Sequence, residues 1–378
     1  MGTLVQRRND IDYLRVISIL AVFVFHSARF FDSEGWHVKN PVTGMPFDAI
    51  IFVLHKWIMP IFFVLAGAGA WYSLQTRSGG QYIKERVYRL LIPLLFGIFT
   101  IIPHQVYIER ITAGRYKGMS LLEFYPHYFE GLYGFGGNFA WMGLHLWFLL
   151  VLFVFAIITL PVFLPFRRTN NDSDAKQPNL GRLLILYSLF ILVFLSEGLL
   201  FRTNGFGEGR GFGGWFLMDY ILFFVLGYFV IPKQTVTDVL IKYRWLSLIV
   251  ALAALTGLAS IQFGSRNLSG SLNLVMVFYG LLMTATSWIG ILAFIGLAAS
   301  SLTAPSRFLK YAAPAVMPFY FFHQSVIVAV GYFMIPVLND SLLIKYFLLM
   351  VISFTIIMVF YELVRRIPII RFLCGIKG

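Results

Sequence analysis

Apolar residues run through this chain in blocks of about twenty, broken by short polar stretches. Twenty is roughly the number of residues an α-helix needs to cross the hydrocarbon core of a bilayer. About ten blocks are predicted, at 12–31, 57–75, 87–106, 143–164, 182–201, 215–231, 245–262, 274–299, 312–335 and 342–364. None alternates with a period of two, so a β-barrel is not expected. A helix satisfies its own backbone groups inside the bilayer. The pattern therefore predicts an all-α, polytopic bundle forming a single transmembrane domain over 1–378. Two blocks are irregular: 87–106 contains Pro93 and Pro103, and 215–231 is short. The run 16–25 has the length of a signal-peptide core. Asp12, Arg15, His26 and Arg29 surround it and apolar blocks follow to the end of the chain, so it reads as a retained span.

Two segments between blocks stand out. The longest, 104–142, is rich in aromatics, among them Tyr116, Tyr128, Phe135 and Trp141. It reads either as an interfacial aromatic belt with a re-entrant lid or as a platform on which sugar rings stack. The segment 167–181, RRTNNDSDAKQPNLG, is polar and reads as a flexible cytoplasmic loop. No internal repeat of the transporter kind is evident.

Composition and charge narrow the class. Charged residues make up 12% of the chain and hydrophobic ones 59%, which excludes a soluble enzyme, a disordered protein and a nucleic-acid binder. The net charge of +13 is then a topological signal. With the N-terminus inside, the inner segments hold 19 Lys and Arg and the outer segments 10, so both termini are expected in the cytoplasm and 104–142 outside. A single cysteine, Cys374, leaves no disulfide or thiolate metal site within the chain. The seven histidines are scattered without metal-ligand spacing, so no metal is expected. The glycine cluster at 205–214 follows no strand and is not a phosphate loop. No serine sits in a nucleophile elbow.

Ionisable groups inside a span cost about 2.5–3.5 kcal/mol each at a helix centre and need a reason. Arg15 and His26 lie eleven residues apart in the first block. That is close to three helical turns, so they share a face about 16 Å apart along the axis. Such a face suits an anion site nearer the inside and a base further out. The plainer alternative is a snorkelling arginine and a hydrogen-bonded core histidine. Asp12 is three residues before Arg15 and is a supporting partner for it. Arg86 and Arg89 share a face at the inner end of the third block, where they suit phosphates or serve as plain inner charge. His323 lies mid-span with Tyr320 and Gln324 close by, and Pro314 and Pro318 precede it. His145 and Trp147 open the fourth block near the outer face, as candidates to border an acceptor entrance. Glu362, near the inner end of the last block, is a structural partner for Arg15, Arg86 or Arg365. Glu197 and Asp219 lie near span ends and read as interfacial or as lining the cavity.

Several of these segments resemble one family. DYLRVISILAVFVFH is similar to the Arg-x10-His signature of the acyltransferase-3 family of membrane acyltransferases. PIFFVLAGAGAWYSL at 60–74 looks like its Phe-Phe-x-x-Ser-Gly segment, with Ala66 in place of the serine. RVYR at 86–89 resembles its Arg-x-x-Arg motif, and FYFFHQSVI at 319–327 its late helix with a tyrosine before a histidine. MPIFFVLAGAGAWYSL and YRLLIPLLFG look most like the glucan succinyltransferase branch. The resemblance implies an enzyme of the cytoplasmic (inner) membrane. It would move an acetyl or succinyl group from acetyl-CoA or succinyl-CoA to a hydroxyl of an extracytoplasmic glycan, without a metal. The expected partners are that glycan and membrane lipid, not nucleic acid. The resemblance also implies His26 as general base, Arg15 and His323 in the catalytic site, and Arg86, Arg89 and Arg15 toward coenzyme A. Tyr320, His145 and Trp147 fall to the acceptor. A histidine near pKa 6.5 suits removal of a hydroxyl proton at neutral pH. Two other readings of the same residues stay open: a proton-coupled transporter or flippase, and a device that carries the acyl group outward for a separate transferase.

Overall fold

The computed structural model describes residues 8–167, 177–196, 214–264, 274–339 and 341–376. Among these the chain is helical, with one isolated bridge between Leu132 and Phe139. The helices in chain order are α1 (Asn9–Ala28), α2 (Met45–His55), α3 (Ile58–Thr76), α4 (Gly79–Arg86), α5 (Ile92–Thr100), α6 (Ile102–Thr112), α7 (Leu121–Phe124), α8 (Trp147–Ile158), α9 (Leu160–Phe163), α10 (Leu180–Ser188), α11 (Leu217–Val230), α12 (Gln234–Lys242), α13 (Arg244–Gly264), α14 (Leu274–Ser301), α15 (Arg307–Met334), α16 (Leu342–Val364) and α17 (Pro368–Leu373). Six helical stretches among the described residues are long and apolar enough to cross a membrane, and nine if each of three bent pairs is one span. The fifth predicted block, 182–201, meets a shorter apolar helix over Leu180–Ser196, and its residues 197–201 lie outside the described residues. Glu197, residues 168–176 of the polar loop and residues 205–213 of the glycine cluster lie outside the described residues.

Two elements differ from the pattern. α2 was not predicted; at 11 residues it is too short to cross a bilayer alone, and it runs on toward α3. The block 87–106 continues as helix to Thr112, with a bend of 40° between Thr100 and Ile102. The bend has a chemical cause. Pro103 has no N–H, so it cannot donate to the carbonyl of Phe99 four residues back. The Tyr125 hydroxyl donates to that carbonyl at 3.0 Å, and Tyr128 donates to the neighbouring Ile98 carbonyl at 3.1 Å. Residues 113–142 fold back against α5 and α6. Ser120 and Glu123 form a capping box at the start of α7, and hydrogen bonds from Ser120 hold the Glu123 carboxyl below its ordinary value. Phe124 and Tyr128 are fully buried, while Phe135 is 86% exposed.

Packing divides the chain into two compact units. The first comprises Met1–Ser18, Val53–Tyr82 and Ile157–Lys310. Within it α3 crosses α11 at glycines. A Cβ on Gly67 would lie 2.0 Å from the Phe224 carbonyl oxygen, and one on Gly227 2.1 Å from that of Val64. Lipid tails give two helices no hydrophobic reason to associate, so close backbone approach through small residues supplies the van der Waals contact instead. Phe63 stacks on Tyr220 beside this crossing, with ring centroids 4.5 Å apart.

The second unit comprises Ile19–Phe52, Ile83–Ala156 and Tyr311–Gly378. Gly97 on α5 does for it what Gly67 does for the first. A Cβ there would lie 2.3 Å from Leu146 and 3.0 Å from Phe321 of α15. The small residue lets the turn at Leu144–Leu146 come down beside α15. Two consecutive left-handed residues, Gly143 (φ 78°) and Leu144 (φ 47°), shape that turn. A left-handed leucine costs about 1–2 kcal/mol, and its neighbour is His145.

Candidate active site

The second unit gathers histidines that the sequence keeps far apart. His323 is fully buried on α15, behind Pro314 and Pro318. Its Nδ1–H donates to the carbonyl of Tyr320 at 2.7 Å, which leaves Nε2 as the lone-pair nitrogen of the neutral ring. His145 donates from Nε2 to the carbonyl of Phe321 at 3.1 Å, so its Nδ1 carries the lone pair. The Tyr320 hydroxyl donates in turn to the His145 carbonyl, so α15 fixes both the ring and the backbone of this turn. His26 comes from the last turn of α1. The His26 and His145 rings lie 5.1 Å and 5.2 Å from that of His323, centroid to centroid.

One nitrogen on each ring is buried and has no hydrogen-bond partner among the described residues: His26 Nδ1, His145 Nδ1 and His323 Nε2. A buried polar atom left unsatisfied costs about 1–3 kcal/mol. Three together on adjoining rings leave unpartnered nitrogens facing one site at the expense of stability. No group of three or more His, Cys, Asp or Glu side chains is placed to hold a metal ion among the described residues.

The chain after α1 folds back over His26. Arg29 pairs with Asp32 and with Glu34, and donates to the Gly35 carbonyl at 2.7 Å. Lys39 closes the loop by donating to the Arg29 carbonyl at 2.8 Å and to the Asp32 carboxylate. Removal from water pushes the Asp32 carboxyl up and the Lys39 ammonium down; their ion pair opposes both shifts without cancelling them. This clasp lays the Trp36 ring on His26, at 6.1 Å and 25° between planes. His37 follows. Its Nδ1–H donates to Glu109, and its Nε2 accepts from the Gln324 amide at 3.0 Å. Tyr133 donates to the same Glu109 carboxylate at 2.8 Å, and Arg110 pairs with it at 3.1 Å. Tyr133 belongs to the aromatic-rich segment 104–142; Trp36, His37 and Glu109 were not singled out in the sequence. They sit in polar connections and at a helix end, where no period marks them.

The other sequence candidates take these places. Arg15 lies in the first unit, where it pairs with Asp12 at 2.9 Å and reaches the Leu65 carbonyl at 3.4 Å. A Cβ on Gly69 would lie 3.1 Å from its guanidinium. The segment at 60–74 thus shapes the seat of Arg15, and Ala66 lies between Leu65 and Gly67 in it. Arg86 ends α4 and Arg89 lies in a π-helical turn, Val87–Leu91, whose wider i→i+5 winding opens the angle between them relative to an α-helix. Arg89 is 3.6 Å from Glu85. Trp147 starts α8 and is half-buried, with its ring against Phe148. Of its three candidate partners Glu362 takes Arg365, at 2.7 Å, and it also accepts from Tyr311 at 2.7 Å. Asp219, read as interfacial, is fully buried and accepts from the backbone of Phe216 at 3.1 Å.

Comparison with known proteins adds the following. The family described as an acyltransferase domain (Acyl_transf_3) matches residues 8–362. A protein named glucans biosynthesis protein C from Escherichia coli K12 is 24% identical over 383 residues, covering 97% of this chain and 94% of its own length. The protein of the same name from Shigella dysenteriae serotype 1 has the same identity and coverage. That from Salmonella agona is 22% identical over 376 residues. No solved structure matches the chain.

Proposed function

Because the chain belongs to the acyltransferase-3 family, we propose that this multi-pass membrane protein moves an acetyl or succinyl group from acyl-CoA to a glucan hydroxyl. The glucan rests on what its relatives are named for. The observation that carries the chemistry is the set of adjoining imidazoles with buried, unpartnered nitrogens.

In this reading His26 is the general base. It takes the proton from the acceptor hydroxyl as that oxygen attacks the thioester carbonyl. The carbon–sulfur bond breaks, the proton passes from the imidazolium to the departing thiolate, and an ester and free coenzyme A leave. His323 shares the proton at 5.1 Å between ring centroids. His145 and Tyr320 position the acceptor, and Trp36 offers a flat face beside His26 for a sugar ring. Arg15 in one unit, and separately Arg86 and Arg89 in the other, are candidate contacts for the donor. The donor comes from the cytoplasmic side of the inner membrane and the acceptor from the opposite side.

The test uses purified protein in detergent with acyl-CoA and a glucan. Free thiol and acylated glucan are expected together, and His26→Ala should lower their formation about 10²–10⁴-fold while the protein stays folded by size exclusion. Full activity of that variant would remove His26 from the role of base. Thiol without acylated glucan would favour outward carriage of the acyl group, and no thiol at all would favour a transporter.

A further inference from the structure

The first unit has an open cavity of about 920 Å³ at the end where α1 begins. Arg8 and Asp10, the first turns of α12, the end of α14 and residues 303–310 line it. It lies within the size range of small-molecule sites, about 300–1,000 Å³. Its charge is lopsided. Arg8, Arg307 and Lys310 are cations of the wall, and Asp10 is its one carboxylate among the described residues. Arg8 already neutralises Asp10 with two hydrogen bonds, at 2.9 Å from Nε and 2.6 Å from Nη2. The side chains of Arg307 and Lys310 have no hydrogen bond or ion pair among the described residues.

The backbone adds to this bias. Three helices of nine residues or more start at the cavity: α1 at Asn9, α12 at Gln234 and α15 at Arg307. Each presents the positive end of its dipole and N–H groups free of intrahelical partners. Ser306 uses one of these, accepting from the Leu309 N–H at 3.0 Å. The hydroxyls of Thr237, Thr303 and Ser306 also border it, that of Thr237 bonded to the Lys233 carbonyl and that of Ser306 to Tyr13, and Ile241, Pro305 and Leu309 give an apolar floor.

We infer that this cavity binds a nucleotide-sized, multiply phosphorylated anion. Resting on the acyl-CoA reading above, the anion is the 3′-phosphoadenosine end of coenzyme A. Two unpaired cations and three converging dipoles call for more than one negative charge. An apolar floor beside them suits a nucleoside better than inorganic phosphate.

The experiment titrates coenzyme A and adenosine 3′,5′-bisphosphate into the full-length protein in phosphatidylcholine nanodiscs, and again with phosphatidylglycerol present. Both ligands should bind, more weakly as salt rises. The double variant R307Q/K310Q should weaken both at least tenfold with an unchanged unfolding temperature. The charge-preserving R307K/K310R should retain binding within a few-fold. Wild-type affinity in R307Q/K310Q would overturn this site and leave the acyl-CoA reading standing. Failure of wild type to bind either ligand in phosphatidylcholine would overturn both. Loss of binding on adding phosphatidylglycerol would assign the cavity to a lipid headgroup instead and overturn the nucleotide.

Discussion

His323 and His145 are each held by one carbonyl of the same helix, and that single bond decides which nitrogen of each neutral ring carries the lone pair. His37, which meets Trp36 and Gln324 beside these rings, is held from behind by a further set of contacts. Glu109 is the hub of that set, taking hydrogen bonds from His37 and Tyr133 and an ion pair from Arg110. A hydrogen bond to a charged group contributes about 1.5–3 kcal/mol, and 1.4 kcal/mol is tenfold in rate. Glu109→Leu should therefore lower the initial rate of acceptor acylation about tenfold or more, with the loss in kcat. Glu109→Gln keeps an acceptor for His37 Nδ1–H and should retain more of the rate. Equal rates for the two variants would mean that His37 is held by something other than Glu109.

At the level of elements, two glycines make separable predictions. The atom that a Cβ on Gly67 would strike belongs to the backbone of α11 and cannot rotate away. Overpacking of this kind costs about 1–3 kcal/mol. Gly67→Val should lower the thermal unfolding midpoint and the yield of folded protein. A Cβ on Gly97 meets the flexible end of Leu146 instead. Gly97→Ala should leave the protein folded, shift the turn that carries His145, and lower acylation activity more than it lowers the unfolding midpoint. The apolar blocks were legible as helices because period and length are local properties. The bend at Pro103 was foreshadowed by proline alone, but the tyrosines that satisfy Ile98 and Phe99 were not. Their partners lie 26 and 30 residues away along the chain.

For the whole molecule, the charge bias expects 104–142 on the outer side and the start of α15 on the inner side. Cys374 makes this measurable. It is fully buried and its thiol is pushed up to about 12 by desolvation, so it should not react with maleimides at neutral pH. In whole cells a membrane-impermeant maleimide should label Phe135→Cys and leave Lys310→Cys unlabelled until the membrane is opened. The reverse pattern would invert the topology and with it the sidedness of the proposed reaction.

Apolar block length, scarcity of charge and the uneven spread of cations among the polar segments are properties of the chain itself. They suffice for a helical membrane protein, and they single out Arg15, His26 and His323 because burying such groups is costly. Helical period assigns a residue to a face but not to a partner. The meeting of His26, His145 and His323 depends on Gly97 admitting a turn against α15 and on two left-handed residues before His145. The cover of Trp36 and His37 depends on the clasp of Arg29, Asp32 and Lys39. The cationic cavity forms where three helices from distant parts of the chain happen to start together. Close approach between distant segments has no local signature, so only the tertiary structure decides it.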